Sequence, residues 1–143
     1  MKKALTVISE KINIIITMPN ADTLGSLYRN ELKDLKIKNP STVFLIENFG
    51  KVNYFNAMYY AGILIGNTSS GIIEAASFNK YVINVGDRQK GRTHGNNVFN
   101  TSFDSEIIFE TFNTLINKKP IEIDNVYFKN DTVKKIKSIL KKT

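Results

Sequence analysis

The 143-residue chain contains no cysteine and a single histidine, His94. The first absence excludes a disulfide-stapled scaffold and every cysteine zinc site, and it suits a reducing cytosol. The second excludes a cluster of histidine ligands, so no metal site is expected. No apolar run approaches the roughly 18 residues of a membrane-spanning helix. The N-terminus is basic at Lys2-Lys3 but meets Glu10-Lys11 before a long apolar stretch can form, so a secretory leader is not expected. A cytoplasmic protein without membrane segments is the reading these absences support. Three Asn-x-Ser/Thr matches, at Asn67, Asn100 and Asn130, then read as incidental.

What is present is ordinary for a folded chain: 42% hydrophobic and 23% charged residues, enough for one domain over 1–143 with its own core. The net charge of +7 is concentrated at Lys118-Lys119 and in the last dozen residues. There Val133, Ile136 and Leu140 share one side, which predicts a docked C-terminal helix with a solvated lysine face. The lysines are not interleaved with aromatics, so neither nucleic acid nor a membrane surface is the expected partner.

Apolar, β-branched runs at 12–17, 42–46, 62–65 and 81–85 predict strands, with a short fifth at 97–99. Between them lie helical patterns. Residues 1–10 form one, and Leu24, Leu27, Tyr28, Leu32 and Leu35 mark another over 23–36. Val52, Phe55, Met58 and Tyr59 mark a third, and Ile72, Ile73, Ala76 and Phe78 a fourth. Ile108, Phe112, Leu115 and Ile116 define 104–117, and a last helix covers 131–142. Strands apolar throughout, alternating with helices, predict an α/β fold: a doubly wound parallel sheet, Rossmann-like, with right-handed crossovers. In such sheets ligands bind at the carboxyl ends of the strands. The polar turns at Asn20, Phe49-Gly50, Thr68 to Gly71 and Asp87 to Arg92 all fall at those ends.

The turn Gly66-Asn67-Thr68-Ser69-Ser70-Gly71 joins a strand to a helix. The first N–H groups of that helix lack intrahelical partners, three hydroxyls stand beside them, and the glycines allow close approach. One reading is a phosphate or diphosphate nest; the other is an ordinary Thr or Ser cap with Glu74 in solvent. The lysine of a P-loop is absent, and so is a G-x-G-x-x-G run. After the fourth strand, Gly86-Asp87-Arg88-Gln89-Lys90-Gly91-Arg92 places three cations at the same edge, where Arg88 can reach an anionic oxygen. Glu74, one turn into the helix, can accept hydrogen bonds from both hydroxyls of a ribose. Together these predict a nucleoside-diphosphate site.

The stretch from Gly66 to Glu74, with Val82-Ile83-Asn84-Val85 and the Gly86–Arg92 loop, resembles the UDP-N-acetylglucosamine 2-epimerases. It is most similar to the hydrolysing type of sialic-acid biosynthesis, which releases N-acetylmannosamine and UDP. Gly95-Asn96-Asn97-Val98 matches that branch's Gly-Glu-Asn-Val segment with Asn96 in place of the acid, and Met18-Pro19-Asn20-Ala21-Asp22 matches a loop of the same half. The resemblance implies two Rossmann-like domains in a glycosyltransferase-B arrangement, of which this chain is the C-terminal, UDP-holding half. By motif position, Ser69, Ser70 and Gly71 hold the diphosphate with Thr68 nearby. Glu74 binds the ribose, Phe49 and Gly50 border the uracil, and Arg88 and Asn20 face the nucleotide or sugar.

The implied partners are UDP or a UDP-N-acetylhexosamine, the missing N-terminal half and a second copy of the intact enzyme, with no cofactor. No catalytic residue is expected, because the family's acid–base carboxylates and its essential histidine precede the matched segment. His94 reads as a surface residue. Three alternatives stay open: an epimerase acting on a UDP-2,4-diacetamido sugar, a glycosyltransferase of the same architecture, and a free-standing nucleotide-binding module.

Overall fold

The computed structural model describes residues 1–19, 23–119 and 122–141. In chain order the elements are α1 (Lys2–Ser9), β1 (Ile14–Thr17), α2 (Thr23–Lys38), β2 (Val43–Ile46), α3 (Gly50–Tyr60) and β3 (Ile63–Gly66). Then come α4 (Ser69–Ile73), a 3-10 turn (Ala75–Phe78), β4 (Tyr81–Val85), β5 (Val98–Thr101), α5 (Ser105–Ile116) and α6 (Thr132–Leu140). All strand pairings are parallel, with Ile14 opposite Val43, Ile63 opposite Tyr81 and Val82 opposite Val98. The fold is therefore α/β and doubly wound in the Rossmann-like manner. The strands form two ladders, β1–β2 and β3–β4–β5, rather than one continuous sheet.

Alternation along β4 explains the layering. Tyr81, Ile83 and Val85 face a core made with Ala4 and Ile8 of α1 and Ile108, Phe112 and Leu115 of α5. Ile14 of β1 and Ile63 and Ile65 of β3 pack against that same core, so the two ladders share it. Val82 faces the other way, into a second core with Met58, Ile72, Ala75 and Val98. Every residue of β4 is buried, as expected of a strand covered on both faces.

The second core fixes where α4 sits. A Cβ at Gly71 would stand 3.0 Å from Val82 Cγ1, so the helix carrying the serine turn lies directly on β4 only because residue 71 has no side chain. Val82 is held between β3 and β5 and has little room to yield. Gly71→Val is expected to destabilise the chain by about 1–3 kcal/mol, the usual range for overpacking. Urea denaturation checks this, and a loss below experimental error would mean that α4 can ride up without cost.

Two expectations about helices are corrected. In α2, among the described side chains of the predicted stripe, only Leu35 is deeply buried, at 1% exposure. Leu35 is in the core, but Leu27 and Tyr28, nearer the start of the helix, are 67% and 63% exposed. The predicted docking of the C-terminal helix also fails. No residue of α6 is buried, and Val133, Ile136, Ile139 and Leu140 all face outward. The two cores are roofed by α1 with α5 and by α3 with α4, and α6 contributes no residue to either. Among the described residues no helix is long and apolar enough to cross a membrane.

Candidate functional site

The serine turn leaves β3 at its carboxyl end, as the topology requires. Thr68 occupies the N-cap position of α4 in extended conformation, but its side chain makes no capping hydrogen bond. The ordinary-cap reading thus loses its main contact. Thr68 and Ser69 are exposed, Ser70 is half-buried and Gly71 is buried. Gly66, just before them, has nothing within 4 Å of the place a Cβ would occupy, so a ligand can approach its backbone.

Glu74 closes the short helix. Its N–H donates to Ser70 O at 3.0 Å, which puts residues 70 and 74 one above the other on one face. Glu74 is half-buried, and its Oε2 is shielded from solvent without a hydrogen-bond partner. A buried carboxylate oxygen of that kind is costly unless donors reach it. Beside it lies a groove of about 270 Å³ walled by Phe55, Ile73, Phe78, Tyr127 and Phe128. The Phe55 and Phe78 rings stand 5.6 Å apart and tilted by 43°. A carboxylate acceptor at the edge of an aromatic groove, one turn from a hydroxyl-rich turn, can take a ribose diol with its base and diphosphate on either side.

The predicted site residues do not all converge. Thr68 to Gly71 and Glu74 follow one another along α4 and its two caps, with Ser70 and Glu74 on one face. Phe49 and Gly50 lie at the start of α3, where Asn48 Oδ1 accepts from Gly50 N at 2.8 Å. The Phe49 ring packs edge-on against Tyr54, centroids 6.4 Å apart, and does not line the groove. Arg88 is exposed and lines neither this groove nor the larger pocket beyond β4. Asn20 lies outside the described residues. His94, expected at the surface, is half-buried instead, because Gly95 O at 2.9 Å and Asn100 Nδ2 at 3.3 Å hold its ring nitrogens.

Several positioning residues gave no signal in the sequence. Gln89, 6% exposed, donates from Nε2 to Asn67 O at 2.8 Å and so ties the loop after β4 to the serine turn. Asn125 donates to Ile73 O at 2.8 Å and to Ser77 Oγ at 2.7 Å, seating the segment that carries Tyr127 and Phe128 over the groove. Tyr127 OH in turn donates to Thr93 O at 2.7 Å.

On the other ladder, Arg29 of α2 donates to Pro19 O at 2.7 Å and to Glu47 Oε2 at 2.6 Å. It thereby joins the segments that follow β1 and β2. The Arg29 hydrogen bond, followed by the charges of Arg29 and Lys33, holds the Glu47 carboxyl below its usual range. A lowered carboxylate pKa means that the pair contributes stability above the ordinary carboxylate range and loses it as pH falls through the folded-state value. Carboxyl-carbon NMR is expected to show Glu47 titrating below a reference glutamate, and returning to the ordinary range in Arg29→Met.

With this geometry in view, comparison with known proteins decides the family. The model of the UDP-N-acetylglucosamine 2-epimerase family matches residues 1–141. The chain belongs to that family. It is 33% identical over 134 residues to the UDP-N,N'-diacetylbacillosamine 2-epimerase (hydrolyzing) of Legionella pneumophila, covering 94% of this chain and 35% of that protein. It is 41% identical over 95 residues to the GDP/UDP-N,N'-diacetylbacillosamine 2-epimerase (hydrolyzing) of Campylobacter jejuni, covering 66% of this chain and 24% of the relative. To the UDP-N-acetylglucosamine 2-epimerase of Neisseria meningitidis it is 30% identical over 121 residues, covering 84% of this chain and 31% of the other. The chain spans about a third or less of the length of these epimerase relatives. The serine turn follows β3 and the Asp-Arg-Gln-Lys-Gly-Arg loop follows β4, both at strand carboxyl ends.

Proposed function

We propose that this chain is the UDP-holding half of a hydrolysing UDP-N-acetylhexosamine 2-epimerase. The observation that carries the reading is the unpartnered, solvent-shielded Oε2 of Glu74 at the edge of an aromatic groove, one turn from Ser70. In this reading the ribose hydroxyls donate to Glu74 and the base lies against Phe55 and Phe78. The diphosphate meets the N–H groups and hydroxyls of Thr68, Ser69, Ser70 and Gly71. Arg88 then faces the nucleotide or the sugar, and Phe49 and Gly50 border the base.

In the intact protein the reaction is removal of the C2 proton, anti-elimination of UDP to a glycal, and addition of water to give the 2-epimer and free UDP. The elimination step leaves a diphosphate with growing negative charge. Donors fixed on the turn before the reaction starts stabilise that charge at no reorganisation cost. This is the contribution the chain itself makes. The groups that move protons at C2 belong to the N-terminal half, so the chain alone binds UDP and does not turn over the sugar nucleotide.

N-acetylglucosamine is the sugar suggested by the motifs. A second reading, a UDP-2,4-diacetamido sugar, is favoured by the names of the Legionella and Campylobacter relatives. Titration calorimetry with UDP and ADP tests the shared part. Binding of UDP in preference to ADP is expected, and a folded chain that binds neither would sink the half-site reading. Adding the N-terminal half and comparing the two UDP-sugars as substrates separates the two sugars.

A further inference from the structure

A pocket of about 510 Å³ opens at the carboxyl ends of β4 and β5, and no residue assigned above to UDP lines it. One wall is a chain of hydrogen bonds. Asn84 Nδ2 donates to Asn100 Oδ1 at 2.8 Å, and Asn100 Nδ2 donates to His94 Nε2 at 3.3 Å. The carbonyl of Gly95, 2.9 Å from His94 Nδ1, can only accept, so the ring carries its proton on Nδ1 and Nε2 is free to accept. Both amides and the ring are thereby held in one orientation, with Asn84 opposite Asn100 in the β4–β5 register.

The remaining walls are unsatisfied or open to a ligand. Gln89, more than nine-tenths buried, lines the pocket with an Oε1 that has no hydrogen-bond partner, and Thr101 Oγ1 lines it in the same condition. Buried polar atoms are almost always paired in native proteins, so two in one pocket mark a place built for hydroxyl groups. Phe103 supplies a flat apolar face. A Cβ at Gly86 would stand 2.3 Å from Phe103 Cε2, so the ring lies against bare backbone, and yet Phe103 is 61% exposed. Lys90 and Arg92 complete the lining, and among the described residues neither makes an ion pair. Asp87 is the one acid present, a further acceptor for hydroxyls.

We propose that this pocket binds an anionic monosaccharide, separately from the nucleotide. The ring rests on Phe103, hydroxyls donate to Gln89 Oε1 and pair with Thr101 Oγ1, and the anionic group meets Arg92 and Lys90. Hydroxyl acceptors alone would suit any polyol; the two cations select a charged one. A bare anion would leave the Phe103 face and the Gln89 acceptor unused.

Amide-resolved NMR of the whole chain tests this with glucose 6-phosphate, glucose and inorganic phosphate as separate probes, each without and with saturating UDP. Shifts centred on Asn84, His94 and 100–103 are expected with glucose 6-phosphate, stronger than with either part alone and unchanged by UDP. The double variant Lys90→Gln/Arg92→Gln should weaken that binding by about tenfold or more, the scale of a lost charge-assisted contact. Thr101→Val provides a second variant if the first does not fold. Shifts confined to Thr68–Gly71, displacement of the sugar phosphate by UDP, no shifts at all, or full affinity in a folded variant would each overturn the proposal. The readout needs no UDP binding, so failure of the nucleotide reading leaves this test intact.

Discussion

Glu74→Ala is expected to lower the affinity for UDP by about ten- to a hundredfold while leaving the melting temperature unchanged or slightly raised. Hydrogen bonds to a charged group contribute about 1.5–3 kcal/mol, which is roughly that range in a dissociation constant. The stability half of the expectation has a separate cause. Glu74 Oε2 is shielded without a partner in the free chain, so removing that oxygen relieves an uncompensated desolvation and breaks no hydrogen bond to it. Glu74→Gln, which keeps an acceptor but not the charge, should fall between the two. Calorimetric titration and thermal melts of the three proteins settle the matter. Unchanged UDP affinity would refute the ribose role, and a parallel loss of affinity and stability would make Glu74 a structural end-cap of α4.

Phe112→Ala should lower the unfolding free energy by about 3–5 kcal/mol, the usual cost of emptying a buried aromatic site. Phe112 is 1% exposed and sits where α5 meets α1 and the Tyr81, Ile83 and Val85 face of β4. Domains as a class are stable by only about 5–15 kcal/mol, so this variant should unfold in mild urea. The groove beside Glu74 stands on the opposite core, with Ile72, Ala75 and Val82. UDP binding per folded molecule should therefore stay near the wild-type value. A stability loss under about 1 kcal/mol would mean that the α1–α5 layer does not hold the sheet.

The strands and most helices were legible because burial leaves a one-dimensional trace. Tyr81-Val82-Ile83-Asn84-Val85 reads as a strand covered on both faces, and that is how β4 is found. Ile108, Phe112 and Leu115 recur at helical spacing, and all three are buried. The same logic misled in α2 and α6. An apolar stripe shows that a helix can be covered, not that this chain supplies the cover. The serine turn and Glu74 were legible as a local strand–turn–helix signature. The aromatic walls were not, because Phe55, Phe78 and Tyr127 come from three separate segments.

The sequence by itself determined the alternation of strand and helix, the motifs that carry the resemblance, and the position of the serine turn and of the Gly86–Arg92 loop at strand carboxyl ends. All of these depend on residues within a turn or two of one another. Only the tertiary structure decided which polar groups meet. Arg29 finds Glu47 across 18 positions, Gln89 finds Asn67 across 22, and Asn125 finds Ile73 across 52. It likewise made Gly71 a contact with Val82 and gave His94 its place beside Asn100. Such pairings follow from where the packed layers bring distant segments, and a periodicity along the chain carries no record of them.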